Sequence, residues 1–142
     1  MQLTRFSDYG LRLMMMAAAN RDRLITIEET ARVYDISRAH LMKVAQFLVK
    51  QGFLTTVRGR SGGLKLARAP EAVRIGDLVR ATETDFVMVE CMGGANQCRI
   101  TKACRLRGII GEALGAFLDV LDRYTLDDLM LRPEDFGIRR AA

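Results

Sequence analysis

All three cysteines of the chain lie within fourteen residues, Cys91-Met-Gly-Gly-Ala-Asn-Gln-Cys98-Arg-Ile-Thr-Lys-Ala-Cys104. Two Gly and an Asn separate the first pair, and these residues accept backbone angles that helices and strands refuse, so the stretch reads as a loop in which thiols can converge. Arg99, Lys102, Arg105 and Arg107 stand beside them, and nearby positive charge favours the thiolate that binds metal. An odd number of cysteines excludes full internal pairing as disulfides. A metal or an iron-sulfur cluster uses all three, with a thiol switch and plain buried hydrophobes as the competing readings.

The elements that must hold this loop are read from apolar spacing. Leu3 to Asn20 carries Phe6, Tyr9, Leu13, Met16 and Ala17 at helical spacing, widened by Leu11, Met14 and Met15, and predicts a largely buried first helix. Asp8 and Arg12, four apart on its more polar side, can pair as helix neighbours. Thr26-Ile-Glu-Glu29 predicts a reciprocal capping box opening a second helix, which runs to about Tyr34 with Ile27, Ala31 and Tyr34 inward. Asp35-Ile-Ser37 breaks it. Ser37 then caps a third helix with Leu41, Val44, Ala45 and Leu48 at core spacing, ended at Gln51-Gly52 by a left-handed glycine. Two short helices joined in this way make a helix-turn-helix, whose second helix enters a major groove. Its first two turns reach base edges, which nominates Ser37, Arg38, His40 and Lys43; for His40, an ordinary surface position is the competing reading.

Phe53 to Val57 and Leu64 to Ala67 read as strands, and Arg58-Gly-Arg-Ser-Gly-Gly63 between them makes a hairpin wing. Arg58, Arg60 and Lys65 supply cations suited to phosphates or a minor groove. The glycines do not form a nucleotide loop, because neither the dinucleotide spacing nor the Lys-Ser/Thr ending is present and a strand follows. Ile75 to Thr82 predicts a short fourth helix. Leu106 to Tyr124 carries Leu106, Ile110, Ala113, Phe117, Val120, Leu121 and Tyr124 along one broad face, a rod of about 28 Å that packs on a second copy. Thr125-Leu-Asp-Asp begins a last turn ended by Pro133, and the chain frays from Arg139. The organisation expected is a mainly α fold with a small β-hairpin wing: a winged helix-turn-helix DNA-binding domain over 1–84, a cysteine cluster-binding loop over 85–105, and a dimerisation helix with its tail over 106–142.

Charge supports a polyanion partner through its placement more than its sum of +5. Ser37 to Arg68 holds seven basic residues and no Asp or Glu, whereas Gly111 to Phe136 holds seven acidic residues against Arg123 and Arg132. No apolar run approaches the roughly 18 residues needed to span a bilayer, and no leader pattern precedes Leu13 to Ala19, so a cytoplasmic protein with reduced thiols is expected. No nucleophile-base pair or cofactor loop points to an enzyme.

Taken together, Gln2-Leu-Thr-Arg-Phe-Ser-Asp-Tyr-Gly-Leu-Arg12, Val57-Arg-Gly-Arg-Ser-Gly-Gly-Leu-Lys-Leu66, Arg74-Ile-Gly-Asp-Leu-Val-Arg80, Cys98-Arg-Ile-Thr-Lys-Ala-Cys-Arg-Leu106 and Tyr124-Thr-Leu-Asp-Asp-Leu129 resemble the bacterial winged-helix iron-sulfur regulators of the IscR/NsrR/RirA family. The resemblance runs over nearly the whole chain and is strongest to the NsrR-like, nitric-oxide-sensing branch. It implies a bacterial homodimeric repressor of operator DNA, with a cluster held by Cys91, Cys98 and Cys104 of one subunit and by Asp8 from the other. Arg12 is implied as the support for that carboxylate. A plain Asp8–Arg12 ion pair is the competing reading, and Glu90 is the local rival as fourth ligand. A 4Fe-4S cluster is implied first and 2Fe-2S second, with nitric oxide as signal. Two departures stand out. Arg107 occupies the place of the His ligand of the IscR pattern, which disfavours a His-ligated 2Fe-2S centre, and the six residues between Cys91 and Cys98 exceed the gap of some relatives. An iron-responsive, RirA-like regulator, a redox-responsive regulator of the same family, a zinc or thiol-switch regulator and an electron-transfer protein are the alternatives.

Overall fold

Thr4 opens the first helix by accepting a hydrogen bond from Ser7 N at its side-chain oxygen, and the helix α1 (Arg5–Ala19) then buries Leu13, Met14, Met16, Ala17 and Ala18. This computed structural model describes residues 1–138, so the fraying expected from Arg139 lies outside the described residues. Against α1 pack α3 (Arg38–Lys50), α4 (Ile75–Thr82) and the second strand of an antiparallel hairpin, β1 (Leu54–Val57) with β2 (Gly63–Leu66) in the register Leu54 to Leu66 and Val57 to Gly63, while α2 (Ile27–Tyr34) and β1 pack on α3. The last helix, α5 (Leu106–Asp122), lies on α4. The fold class is as expected: mainly helical, with a two-stranded wing.

Several local expectations need correction. Thr26 accepts from Glu29 N at 3.1 Å, but the capping box is only half formed. The Glu29 carboxylate turns to Arg23, with Nη2–Oε1 at 2.6 Å, because a guanidinium offers a charge-assisted bond that a backbone N–H does not. That hydrogen bond, more than the charge alone, holds the Glu29 carboxyl below its usual range. The side chain that α2 buries fully is Thr30, satisfied by donating to Thr26 O, while Ile27, Ala31 and Tyr34 are half-buried. Ile25 adds a short bridge to Leu64 that periodicity alone did not reveal. Gly62 permits the tight wing turn, since a Cβ there would overlap the carbonyl of Val57.

The rod is shorter and differently faced than its pattern suggests. It spans 17 residues, with none fully buried. Ile110, Leu114, Leu118 and Leu121 are half-buried, whereas Leu106, Ala113, Phe117, Val120 and Tyr124 of the expected stripe remain exposed. Beyond it, Thr125 forms a full capping box with Asp128 over the turn Leu126–Leu129, and Pro133 begins a further turn, Pro133–Phe136, instead of ending the previous one. A proline at the first position of a turn costs nothing, since its missing N–H would be unpaired there anyway. Leu126 is wholly buried in the core that holds Leu13, Leu48 and Leu78, so the chain beyond the rod returns to complete the winged domain.

Candidate functional site

The cysteine segment between α4 and α5 has a short helical turn, Glu90–Met92, and a second turn before Cys104, where Ala103 N and Cys104 N donate to Ile100 O at 3.0 and 2.9 Å. Side chains tie it together. Gln97 N donates to Glu90 Oε1 at 2.8 Å, Cys98 N to Asn96 Oδ1 at 3.0 Å, and Thr101 Oγ1 to the Cys98 carbonyl at 2.8 Å. Leu106 N donates to Cys104 Sγ at 3.4 Å. All three cysteines are free, with Cys91 and Cys104 half-buried and Cys98 exposed. Among the described residues no three Cys, His, Asp or Glu side chains are gathered into a metal-ion site. The donor set itself fits an iron-sulfur cluster: soft sulfur ligands, unpaired, on a segment whose backbone is outside regular helix or strand. Glu90 is engaged across the loop by Gln97, which makes it a staple of the segment.

Asp8 lies on α1, half-exposed, and its carboxylate is held by Arg12 through Nε–Oδ1 at 3.0 Å and Nη2–Oδ2 at 2.9 Å. Arg12 is itself seated. Its guanidinium carbon lies 5.6 Å from the centre of the Tyr34 ring, and the Tyr34 hydroxyl donates to the Arg12 carbonyl at 3.0 Å. Phe136 meets the edge of Tyr34, with centroids 6.1 Å apart. Sequence reasoning left Tyr34 as a core residue and missed this role; the spacing of residues 12 and 34 carries no signal for it.

Burial pushes the Tyr34 hydroxyl up to about 12, with the charge of Arg12 opposing and that of Asp8 adding. The sign follows from a raised folded value: the folded state keeps a proton that the unfolded chain sheds near pH 10, so this stabilisation is complete below pH 10 and drains as pH rises from about 10 to about 12. Urea unfolding at pH 9 to 12 is expected to show a fall in stability that Tyr34→Phe reduces. At neutral pH the same variant should lose about 0.5 to 1.5 kcal/mol for the hydrogen bond. Identical pH profiles for the two proteins would contradict this assignment.

The root of the cysteine segment is attached to α1: Thr4 N and Thr4 Oγ1 donate to Glu83 Oε1 at 2.8 and 3.1 Å. From there α1 packs on α3 through Phe6 and Phe47, edge to face at 5.3 Å, and through Tyr9 and His40 at 4.8 Å, while an added Cβ at Gly10 would stand 3.4 Å from Thr82 Cγ2 of α4 and 3.9 Å from Val44 Cγ1 of α3.

On α3, Ser37, Arg38 and Lys43 are exposed as expected, and Ser37 also caps the helix by accepting from His40 N at 3.4 Å. His40 is half-buried against Tyr9, so it sits at the flank of the outward face. Arg38 is paired with Glu28 of α2 at 2.7 Å, an ion pair about 60% exposed at both ends and therefore cheap to open. Ala39, Met42 and Gln46 share the exposed face and were missed, because a basic-residue criterion does not find them. Arg58, Arg60 and Lys65 of the wing are all exposed. Among the described residues, no helix is long and apolar enough to cross a membrane.

Residues 3–132 match the model of the Rrf2 family, described as an iron-dependent transcriptional regulator. The chain is 45% identical over 136 residues to the HTH-type transcriptional regulator NsrR of Bacillus licheniformis, covering 94% of this chain and 95% of the relative. It is 46% identical over 137 residues to NsrR of Bacillus subtilis, covering 95% and 94%. Among solved structures, CymR, the global cysteine regulator of B. subtilis, superposes with a TM-score of 0.70 at 25% identity, over 91% of this chain and 95% of that one. The IscR of T. potens shares the fold, with a TM-score of 0.71 at 22% identity over 99% and 94%. These relatives are transcriptional regulators, in agreement with the reading of the sequence against an enzyme.

Proposed function

This chain belongs to the Rrf2 family of transcriptional regulators, and on that basis we propose that it is a homodimeric, iron-sulfur-dependent repressor of two-fold operator DNA, released by nitric oxide. The observation that carries the reading is the attachment of α1, through Thr4, to Glu83, where the chain leaves α4 for the cysteine segment, together with the packing of α1 on α3. In this reading Cys91, Cys98 and Cys104 hold the cluster, 4Fe-4S first and 2Fe-2S second, and Asp8 of the partner subunit completes the ligand set. The name of the NsrR relatives supports the choice of branch. When bound, such a cluster supplies iron at which nitric oxide reacts, and a single hard carboxylate among soft thiolates makes the easiest point of attack.

The residues of the chain then perform the switch. Arg12, braced by Tyr34, orients the Asp8 carboxylate. While Asp8 is held across the dimer, α1 is fixed at one end by that bond and along its side by Phe6, Tyr9 and Gly10 against α3. Freeing Asp8 releases α1, and the angle between the two reading helices changes with it. Leu106, Phe117 and Val120 on α5, and Tyr124 just beyond its end, are 37 to 50% exposed, and a second copy of the rod would cover them. On DNA, Arg58, Arg60 and Lys65 neutralise phosphates or enter the minor groove, while Ser37, Arg38, Lys43 and, from the flank, His40 choose bases.

Arg38→Ala is expected to relax sequence preference by about 1 to 3 kcal/mol through loss of a bidentate base contact, while affinity for unrelated DNA falls much less. Competition binding on specific and scrambled duplexes measures it, and an equal loss on both would remove Arg38 from base reading. The proposal as a whole is tested by anaerobic purification. Iron and acid-labile sulfide should accompany the protein, with visible absorption and dimer mass. A colourless zinc protein that binds DNA equally well would overturn it. The iron dependence named in the family description favours an iron-responsive regulator as second reading; release of DNA by an iron chelator without nitric oxide separates the two.

A further inference from the structure

The rod α5 is fastened to the winged domain near its C-terminal end by one concentrated set of contacts. Arg80 of α4 donates to both oxygens of Asp122, Nη1 to Oδ1 at 2.5 Å and Nη2 to Oδ2 at 2.8 Å. This two-pronged pairing fixes direction as well as distance. Among the described residues it is the ion pair that joins α5 to the rest of the fold. Gly76, one helical turn before Arg80, makes the seat: a Cβ there would overlap Asp122 Oδ1 and stand 2.8 Å from Arg80 Nη1. The hydrogen bond also holds the Asp122 carboxyl below its usual range and raises Arg80, so the two ends of the pair agree. Immediately beyond, Ile75 N donates to Tyr124 O at 3.0 Å, Leu126 N donates to Val73 O at 2.8 Å, and Leu126 enters the core. The other end of the rod, next to the cysteines, is different: Leu106 and Ile109 are 49% and 56% exposed, and a Cβ at Gly108 or Gly111 would meet nothing within 4 Å.

We propose that Gly76, Arg80 and Asp122 form a positioning lock that sets the bearing of the dimerisation rod on the winged domain and thereby the separation of the two half-sites read by the dimer. The inference rests on the homodimeric operator-binding reading above. In such a dimer the two-fold axis runs between the rods, so a rotation of α5 against α4 is repeated in the partner and moves the two α3 helices apart or together. Successive base pairs are about 3.4 Å apart along the duplex, so a shift of that size changes the preferred spacing by one. None of the three residues lies on the exposed face of α3 or on the wing, so the half-site sequence should not depend on them.

The test is selection of binding sites from a random-sequence duplex pool by anaerobically purified wild type, Gly76→Ala and Asp122→Asn. Gly76→Ala is the sharper variant, since alanine is the better helix former and its methyl group displaces a side chain rather than backbone. Thermal melts and dimer mass should match wild type. All three proteins are expected to select the same half-site; wild type should select one spacing, and both variants a spread over neighbouring spacings. On paired duplexes, the preference of the variants for the wild-type spacing over a one-base-pair insertion should fall about tenfold, with affinity for an isolated half-site unchanged. Variants that keep the wild-type spacing and discrimination would overturn the lock, as would an equal loss on every duplex including the isolated half-site, which marks a merely structural role. Should Asp122→Asn fail to fold, Gly76→Ala decides. Wild type selecting no paired half-sites would instead overturn the homodimeric reading, and the lock with it.

Discussion

Serine at positions 91, 98 and 104 together is expected to lower affinity for the selected operator about a thousand-fold, to the level of unrelated DNA, at fixed salt. Specific binding by such regulators typically exceeds non-specific binding by about a thousand-fold or more, so a dimer whose two heads no longer hold the operator spacing falls back on its basic surface alone. The hydroxyl of serine is nearly the size of a thiol but is a hard donor that does not replace thiolate toward iron. Cys98 is exposed and the other two are half-buried at the protein surface, so the core around Leu13, Leu48 and Leu126 is untouched and the fold should survive. Fluorescence anisotropy with the operator and a scrambled duplex measures both affinities. Unchanged operator affinity, with normal melting, would remove the cysteines from control of DNA binding.

Leu126→Ala is expected to destabilise the protein by about 2 to 5 kcal/mol, the range for deleting a fully buried leucine side chain. Leu126 is 0% exposed, and its backbone N–H bonds to Val73, so the site is held on two counts and collapses poorly around a cavity. The turn Leu126–Leu129 lies beyond the rod in sequence yet packs on α1 and beside the Pro70–Ala72 turn. A large effect would show that the segment after the rod belongs energetically to the winged domain. Urea unfolding measures it, and a loss below about 0.5 kcal/mol, the range of surface substitutions, would contradict the burial.

The legible part of the fold was set by local rules. Thr26 and Ser37 announced helix starts, Gly52 with φ of 75° announced the end of α3, and the run around Gly59 and Gly62 announced the wing. These signals depend on a few neighbouring residues, so sequence carries them. What was missed depends on residues far apart in the chain. Glu29 abandons its box for Arg23, Glu83 caps the first helix from 79 residues away, and Tyr34 and Phe136 converge on Arg12. The rod shows the same limit. Its apolar residues cover more than one face, and periodicity does not say which face meets α4 and which is left for a partner; Leu114 and Leu118 turn out to face inward and Phe117 outward. For the cysteines, type and clustering were visible at once, whereas the bond from Thr4 to Glu83 ahead of them and the contact of Tyr9 with His40 on α3 needed coordinates.

Stepwise addition of nitric oxide to anaerobic protein bound to a fluorescent duplex carrying the selected two-fold site, with absorption and anisotropy recorded together, tests whether an intact cluster governs the grip on DNA. Anisotropy should fall to the value of free DNA in step with the loss of visible absorption. DNA still bound after the absorption has gone, or released while the absorption is intact, would contradict it.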